Sequence, residues 1–222
     1  MLPNVAACNA LLSSTGGLGQ NISWEPSAPC PCIGGTMNAP QPNCPQCRGI
    51  GHIWFAAQSA WSAMTSMKLV RQWAQYGEWM SGDIVMSIPS DSPFFAAGEY
   101  DRVTLSQSSE PFGRTITVGE NDRLAFTPLS IDRVFWLSTD GSGIITGGIP
   151  SVNADGTLAW PAGLPVPAEG QTFTMTGRRA PLYFLFRDFP QDREHASGLQ
   201  LPRRVVLRKF DLLGATEGGV TR

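Results

Sequence analysis

Short runs of β-branched and aromatic residues recur along this chain, each closed by Gly, Pro, Asn or Asp. Ile84-Val-Met-Ser-Ile88 lies between a Gly82-Asp83 turn and Pro89, and Arg102-Val-Thr-Leu105 follows a polar loop. Thr115-Ile-Thr-Val118 and Arg123-Leu-Ala-Phe126 flank a Gly119-Glu-Asn-Asp122 turn. Ile131-Asp-Arg-Val-Phe-Trp-Leu137 mixes polar with apolar positions, and Thr157-Leu-Ala-Trp160 follows a tight turn at 153–156. Thr172-Phe-Thr-Met-Thr176, Leu182-Tyr-Phe-Leu-Phe186 and Arg204-Val-Val-Leu-Arg208 complete the series. Runs of this length and spacing predict the strands of a β-barrel or sandwich. His52-Ile-Trp-Phe55 reads as a further short strand. The proline-rich stretch 161–170 is a connection that cannot enter a central ladder. The loop at 189–203 is long enough to suggest a contact role.

Residues 56–80 are mixed in signal. Trp61, Met64, Met67 and Val70 recur at helical spacing. Strand-like runs bound the segment and no firm cap opens it, so strand is expected ahead of helix. Residues 1–25 contain SSTGGLGQN and little that packs, which predicts a flexible extended arm. The expected organisation is an arm at 1–25, a cysteine-rich module at 26–55 and a barrel or sandwich at 56–150. A C-terminal β region at 151–214 is expected to pack on the same body, with a tail at 215–222.

At 222 residues the chain can bury a core of its own. Its 24 Gly and 18 Pro leave little room for long helices. A net charge of −2 argues against a dedicated nucleic-acid binder. Charged residues make up only 15%, and with seven Trp this suggests a surface partly covered by other subunits. No apolar run approaches bilayer-spanning length, so no membrane partner is expected. Up to Gly170 there are seven Lys/Arg against thirteen Asp/Glu; from Gln171 to Asp211 there are eight against four. An acidic front and a basic back suit head-to-tail contact between copies, and equally suit two solvated faces.

Four cysteines within eighteen residues carry most of the chemistry: Cys30-Pro-Cys32, then Cys44-Pro-Gln-Cys47. Two close pairs across a Gly/Pro/Asn-rich loop have the spacing of a tetrahedral metal site, expected to be a structural zinc knuckle. A pair of disulfides or free buried thiols are the alternatives. The opening MLPNVAACNALLSS lacks the basic start of a secretory leader, which favours a reducing compartment and metal over disulfides. Cys44-Pro-Gln-Cys47-Arg-Gly-Ile-Gly51 resembles one CxxCxGxG repeat of the J-domain chaperones, whose glycines let backbone amides point at thiolate sulfur. His52 is a surface histidine or a substitute ligand, and Cys8 stands unpaired.

Catalytic machinery is not evident. The two histidines, His52 and His195, sit in no recognised catalytic setting, and there is no GxSxG, P-loop or HExxH motif. Asp188, Asp192 and Glu194 share a loop with Arg187 and Arg193, and alternating signs favour mutual salt bridging over catalysis. A site closed by four thiolates offers no open position to water or substrate. The chain is therefore not expected to be an enzyme.

Four stretches stand out: Asp155-Gly-Thr-Leu-Ala-Trp160, Thr174-Met-Thr-Gly-Arg-Arg-Ala-Pro-Leu-Tyr-Phe184, Phe189-Pro-Gln-Asp-Arg193 and Leu201-Pro-Arg-Arg-Val-Val-Leu-Arg-Lys-Phe-Asp-Leu-Leu213. With Cys44 to Ile53 and Gly119 to Leu124, they resemble virion proteins of tailed, myophage-like bacteriophages. The likeness is to the small cysteine-containing neck, collar or head-to-tail connector proteins. The resemblance implies a structural subunit with a β-barrel body, assembled into a ring with copies of itself. It would sit between portal and tail proteins in the virion, after assembly in the host cytoplasm. Arg203, Arg204, Arg208 and Lys209 flank one strand and are candidates for contact with an acidic neighbour or with packaged DNA. A baseplate or tail-completion role, and a zinc-knuckle nucleic-acid-binding role, are the alternatives.

Overall fold

This computed structural model describes residues 4–34, 39–65, 67–120, 124, 126–154, 156–189, 195–196 and 198–213. The chain is mainly β and divides into two compact units, residues 1–107 with 182–222, and residues 108–181.

The first unit is a closed antiparallel barrel of six strands. In order around the barrel they are Gly19–Glu25, Gln58–Met64, Ile84–Ile88, Arg203–Lys209, Leu182–Asp188 and Arg102–Thr104, which pairs back to the first. Side chains alternate across each strand, so one set fills the barrel. Ile22, Trp24, Ala60, Met86, Ile88, Val103, Leu185, Val205 and Leu207 form this core, with Phe94 and Ala97 from the 3₁₀ turn region after Ile88. Val85 and Val206, one step out of phase, point outward. The helix Met67–Ala74 covers them with Trp73, which is fully buried. The register shifts between Leu185 and Arg187, and Phe186 turns to pack against this outer cluster.

The second unit is a four-stranded antiparallel sheet in the order Glu110–Thr117, Thr172–Arg179, Pro128–Leu137, Ile144–Thr146. A small ribbon, Ser151–Val152 with Leu158–Ala159, accompanies it. Its core is Phe112, Ile116, Val134, Trp136, Phe173 and Met175, with Trp160 and Phe126 packed at its border. Gly177 sits at a bulge where the sheet backbones approach closely. A Cβ there would lie 2.1 Å from the Ser130 carbonyl oxygen, so only glycine fits.

Four expectations need correction. Residues 1–25 are not a flexible arm among the described residues. Val5–Leu12 is a helix capped by Asn4, and Gly19–Glu25 is a barrel strand whose Ile22 and Trp24 are buried. The alternation of Ile22 and Trp24 was hidden behind a glycine-rich stretch that here forms a turn. The body at 56–150 is not one unit either. The chain leaves the barrel after Gln107 and re-enters it at Leu182, so residues 151–214 are shared between both units. Long-range pairing of Arg102–Thr104 with Leu182–Asp188 makes this possible. Strand, expected over residues 56–80, holds at Gln58–Met64 and gives way to a helix at Met67–Ala74, so the stripe Trp61, Met64, Met67, Val70 is divided between the two. Finally, the 189–203 loop contains a short ribbon, His195–Ala196 with Leu199–Gln200. Asp192, Arg193, Glu194, half of the expected strand at 123–126 and the tail at 215–222 lie outside the described residues.

Candidate metal centre

The cysteine module is carried on two three-residue strands, Ser27–Pro29 and His52–Trp54, paired so that Pro29 faces His52. Asp101 anchors its base. Its carboxylate accepts from the Ser27 backbone at 2.7 Å, the Trp24 indole at 2.7 Å and the Gly98 backbone at 3.0 Å. The Trp54 indole donates to the Tyr100 carbonyl at 3.0 Å. Tyr100 itself holds a left-handed backbone with φ of 70°, and its N–H donates to Leu185 of the barrel. The module is thus tied to barrel strands at both ends.

Between those strands the backbone winds tightly. The Cys30 N–H donates to the Gly51 carbonyl at 2.7 Å, the Arg48 N–H to Cys44 at 2.8 Å and the Ile50 N–H to Cys47 at 3.0 Å. Arg48, Gly49 and Gly51 all have positive φ, at 50°, 84° and 87°. Two of these three positions are glycine, which takes that conformation without a steric cost. This is the physical content of the CxxCxGxG spacing: left-handed turns that aim amides back at sulfur.

The four expected ligands, Cys30, Cys32, Cys44 and Cys47, converge. Their sulfurs all lie within 4.8 Å of one another. Cys30 and Cys44 are 3.8 Å apart and Cys32 and Cys47 are 3.4 Å apart. An ion with metal–sulfur bonds of about 2.3 Å in tetrahedral geometry sets its sulfurs roughly 3.8 Å apart. A disulfide would need about 2.05 Å, and all five cysteines are free thiols. Cys30, Cys44 and Cys47 are buried and Cys32 is half-buried. The donor set, its spacing and its burial fit a four-coordinate metal ion, and these four cysteines can hold one.

Electrostatics divides the quartet. Hydrogen bonds from the Cys47 and Gln46 backbones lower the Cys44 thiol. Burial works to raise Cys47, but the Gly51 backbone, the Cys32 side chain and the Gly49 backbone outweigh it and hold the thiol at about 6. The Gln41 backbone works to lower Cys32, yet burial and hydrogen bonds to Cys47, Cys30 and Cys44 push it up to about 12. Cys30 is raised as well, burial and its Cys47 and Cys44 neighbours outweighing a hydrogen bond from the Cys32 backbone. Four sulfurs this close cannot all ionise unless a cation joins them; a bound cation reverses that preference.

His52 stands outside the quartet. Its ring stacks on Tyr100 at 4.1 Å, and burial lowers its pKa. Cys8 is half-buried on the helix Val5–Leu12, far along the chain from the site.

The four basic candidates all fall on the strand Arg203–Lys209, with different surroundings. Arg203 donates to the Asp188 carboxylate at 2.6 Å and to the carbonyls of Phe95 and Ala97. Arg208 is buried, donates to Asp83 and lies 3.7 Å above the Phe186 ring. Both guanidiniums are engaged within the barrel unit, which removes them as free contact groups. Lys209 lies 5.1 Å from the Tyr183 ring centre, and Arg204 is half-buried. Sequence reasoning missed Asp83 and Asp101, because a lone carboxylate beside a turn gives no sign of the buried indole or guanidinium it will meet. The chain matches no protein-family model and no curated protein.

Proposed function

We propose that this chain is a structural virion protein of a tailed bacteriophage, a ring-forming subunit of the neck at the head-to-tail interface. The ion in its cysteine site is a structural zinc. One observation carries the structural role: four buried or half-buried cysteine sulfurs converge in a module whose described residues provide almost no other core. Among the described residues, its cluster contains only Ile53 beside the cysteines. A module that small gains its stability from a metal. With every tetrahedral position taken by protein sulfur, zinc holds the backbone and leaves no vacancy for chemistry.

The neck assignment rests on the stretches that resemble phage neck and connector proteins. It gains support from the closed barrel body and from apolar side chains left exposed on both units, among them Leu18, Phe55, Leu137 and Ile144. Such residues suit a subunit that is covered by neighbours. In this reading the partners are copies of the same chain and the adjoining portal and tail proteins. Electron microscopy of the purified chain, with its metal content measured on the same sample, tests the proposal. A closed ring with one zinc per chain is expected. A metal-free monomer that turns over a substrate would overturn it.

A further inference from the structure

We infer that the second unit joins copies head to tail, the Ile144–Thr146 edge of one chain adding to the Glu110–Thr117 edge of the next. This inference rests on the ring reading above and names the contact that would close the ring.

Both strands are the outer members of the four-stranded sheet. The Ser138 N–H donates to Gly143 and the Gly147 N–H to Val134, each at 2.9 Å. Strand alternation then directs the N–H and C=O of Ile144 and Thr146 away from the sheet. On the opposite edge, Val118 donates to Gln171 and accepts from Gly170. The same alternation turns Gly113 and Thr115 outward. Pro111, which has no N–H to offer, falls on that outward set, where a sheet tolerates it. Each edge therefore presents two residues with matching donors and acceptors. The sheet alternates over an even number of strands, so its two edges run in opposite directions. A copy added head to tail meets the first in antiparallel register, and repetition of that heterologous contact gives a ring when its rotation closes.

Among the described residues, the edge at Ile144–Thr146 is uncovered up to Gly148, whose N–H donates to Pro165. It has no charge, no proline and no bulge. Beside it runs an apolar rim, with Leu137 63%, Ile144 68%, Ile145 37%, Ile149 51%, Leu164 55% and Val166 47% exposed. Ile144 pairs with Leu137, and the Gly148 N–H donates to Pro165 at 3.0 Å, so the two segments adjoin. This rim presents on the order of 600 Å² of surface, the upper end of what a monomer leaves bare. It approaches the ~800 Å² that each partner buries in a standard interface. A groove of about 380 Å³ bounded by Leu137, Ile144 and Thr172 opens beside this edge, positioned to receive side chains of an arriving strand.

The test compares full-length wild type, Thr146→Pro and Ile144→Lys by light scattering and electron microscopy, with circular dichroism and metal content as controls. Thr146→Pro removes an N–H that the internal ladder does not use; Ile144→Lys charges the rim. A wild-type ring of more than two copies is expected. Each folded variant should need at least about tenfold more protein to assemble, with unchanged circular dichroism and metal content. If the proline variant does not fold, the lysine variant decides. Rings from a folded variant at wild-type concentrations overturn this contact while leaving the ring reading intact. A closed wild-type dimer overturns it in favour of two like edges paired about a two-fold axis. A wild type that stays monomeric removes the ring reading and this contact with it.

Discussion

Arg208 and Asp83 form a buried ion pair across the barrel wall, the guanidinium donating to both carboxylate oxygens at 3.0 and 2.9 Å. Asp83 also accepts from the Trp73 indole at 3.0 Å and the Met80 backbone at 3.1 Å. The Arg208 guanidinium rests on Phe186. One carboxylate thus ties together the helix that carries Trp73, the turn before Ile84–Ile88 and the strand Arg203–Lys209. Removing one partner strands a charge in a dry setting, which costs far more than the pair contributes. Asp83→Ala should lower stability by about 3–5 kcal/mol. Urea unfolding followed by tryptophan fluorescence checks this; a loss typical of a surface salt bridge, below about 1 kcal/mol, would contradict it.

The cysteine quartet should behave as one unit. Cys44→Ser is expected to abolish metal uptake, since three remaining thiolates leave an open and much weaker site. Metal analysis after dialysis reads this directly. Assembly should be impaired with it. Normal metal-free rings from a variant lacking all four cysteines would refute the structural role of the metal.

Gly177→Ala probes the bulge in the second unit. The new Cβ would meet the Ser130 carbonyl oxygen at 2.1 Å and the Ile131 Cα at 3.0 Å, both backbone atoms that cannot rotate away. A loss of about 1–3 kcal/mol is expected from this overpacking. Gly143→Ala is the control, because its Cβ would come no nearer than 4.0 Å to any neighbour, the Ser138 hydroxyl, and its backbone is not left-handed.

Asp140 sets a pH dependence in the turn between Pro128–Leu137 and Ile144–Thr146. Hydrogen bonds from the Ser138 and Ser142 hydroxyls and the Ser142 backbone hold its carboxyl at about 2, below its ordinary 3.8. A depressed folded-state value means that the ionised form favours the fold. Its contribution is complete above pH 3.8 and is lost as pH falls through about 2. Carbon-detected NMR titration of the Asp140 carboxyl should show the low midpoint. Ser138→Ala with Ser142→Ala should return it towards 3.8.

Local patterns were the legible part of this molecule. Strands such as Ile84–Ile88 and Arg203–Lys209 announce themselves, because β-branched runs between turn residues have few alternatives. The knuckle announces itself too: Cys44, Cys47, Gly49 and Gly51 act within one short turn, so their spacing already contains the geometry. Arg208 is the opposite case. Read alone it is a surface cation on a strand, and only Asp83, 125 positions away, makes it an interior residue. Ile22 and Trp24 went unrecognised for a related reason, since two apolar positions beside a glycine-rich turn carry little weight until the barrel closes around them.

The amino-acid order alone therefore determined a β protein with four thiols held ready for one ion, because those features arise from neighbours a few bonds apart. Which strands close the barrel, where residues 108–181 leave it, and which charges are buried were decided by tertiary structure. Those outcomes depend on contacts between distant segments, whose free energy appears only when the whole chain has found its partners.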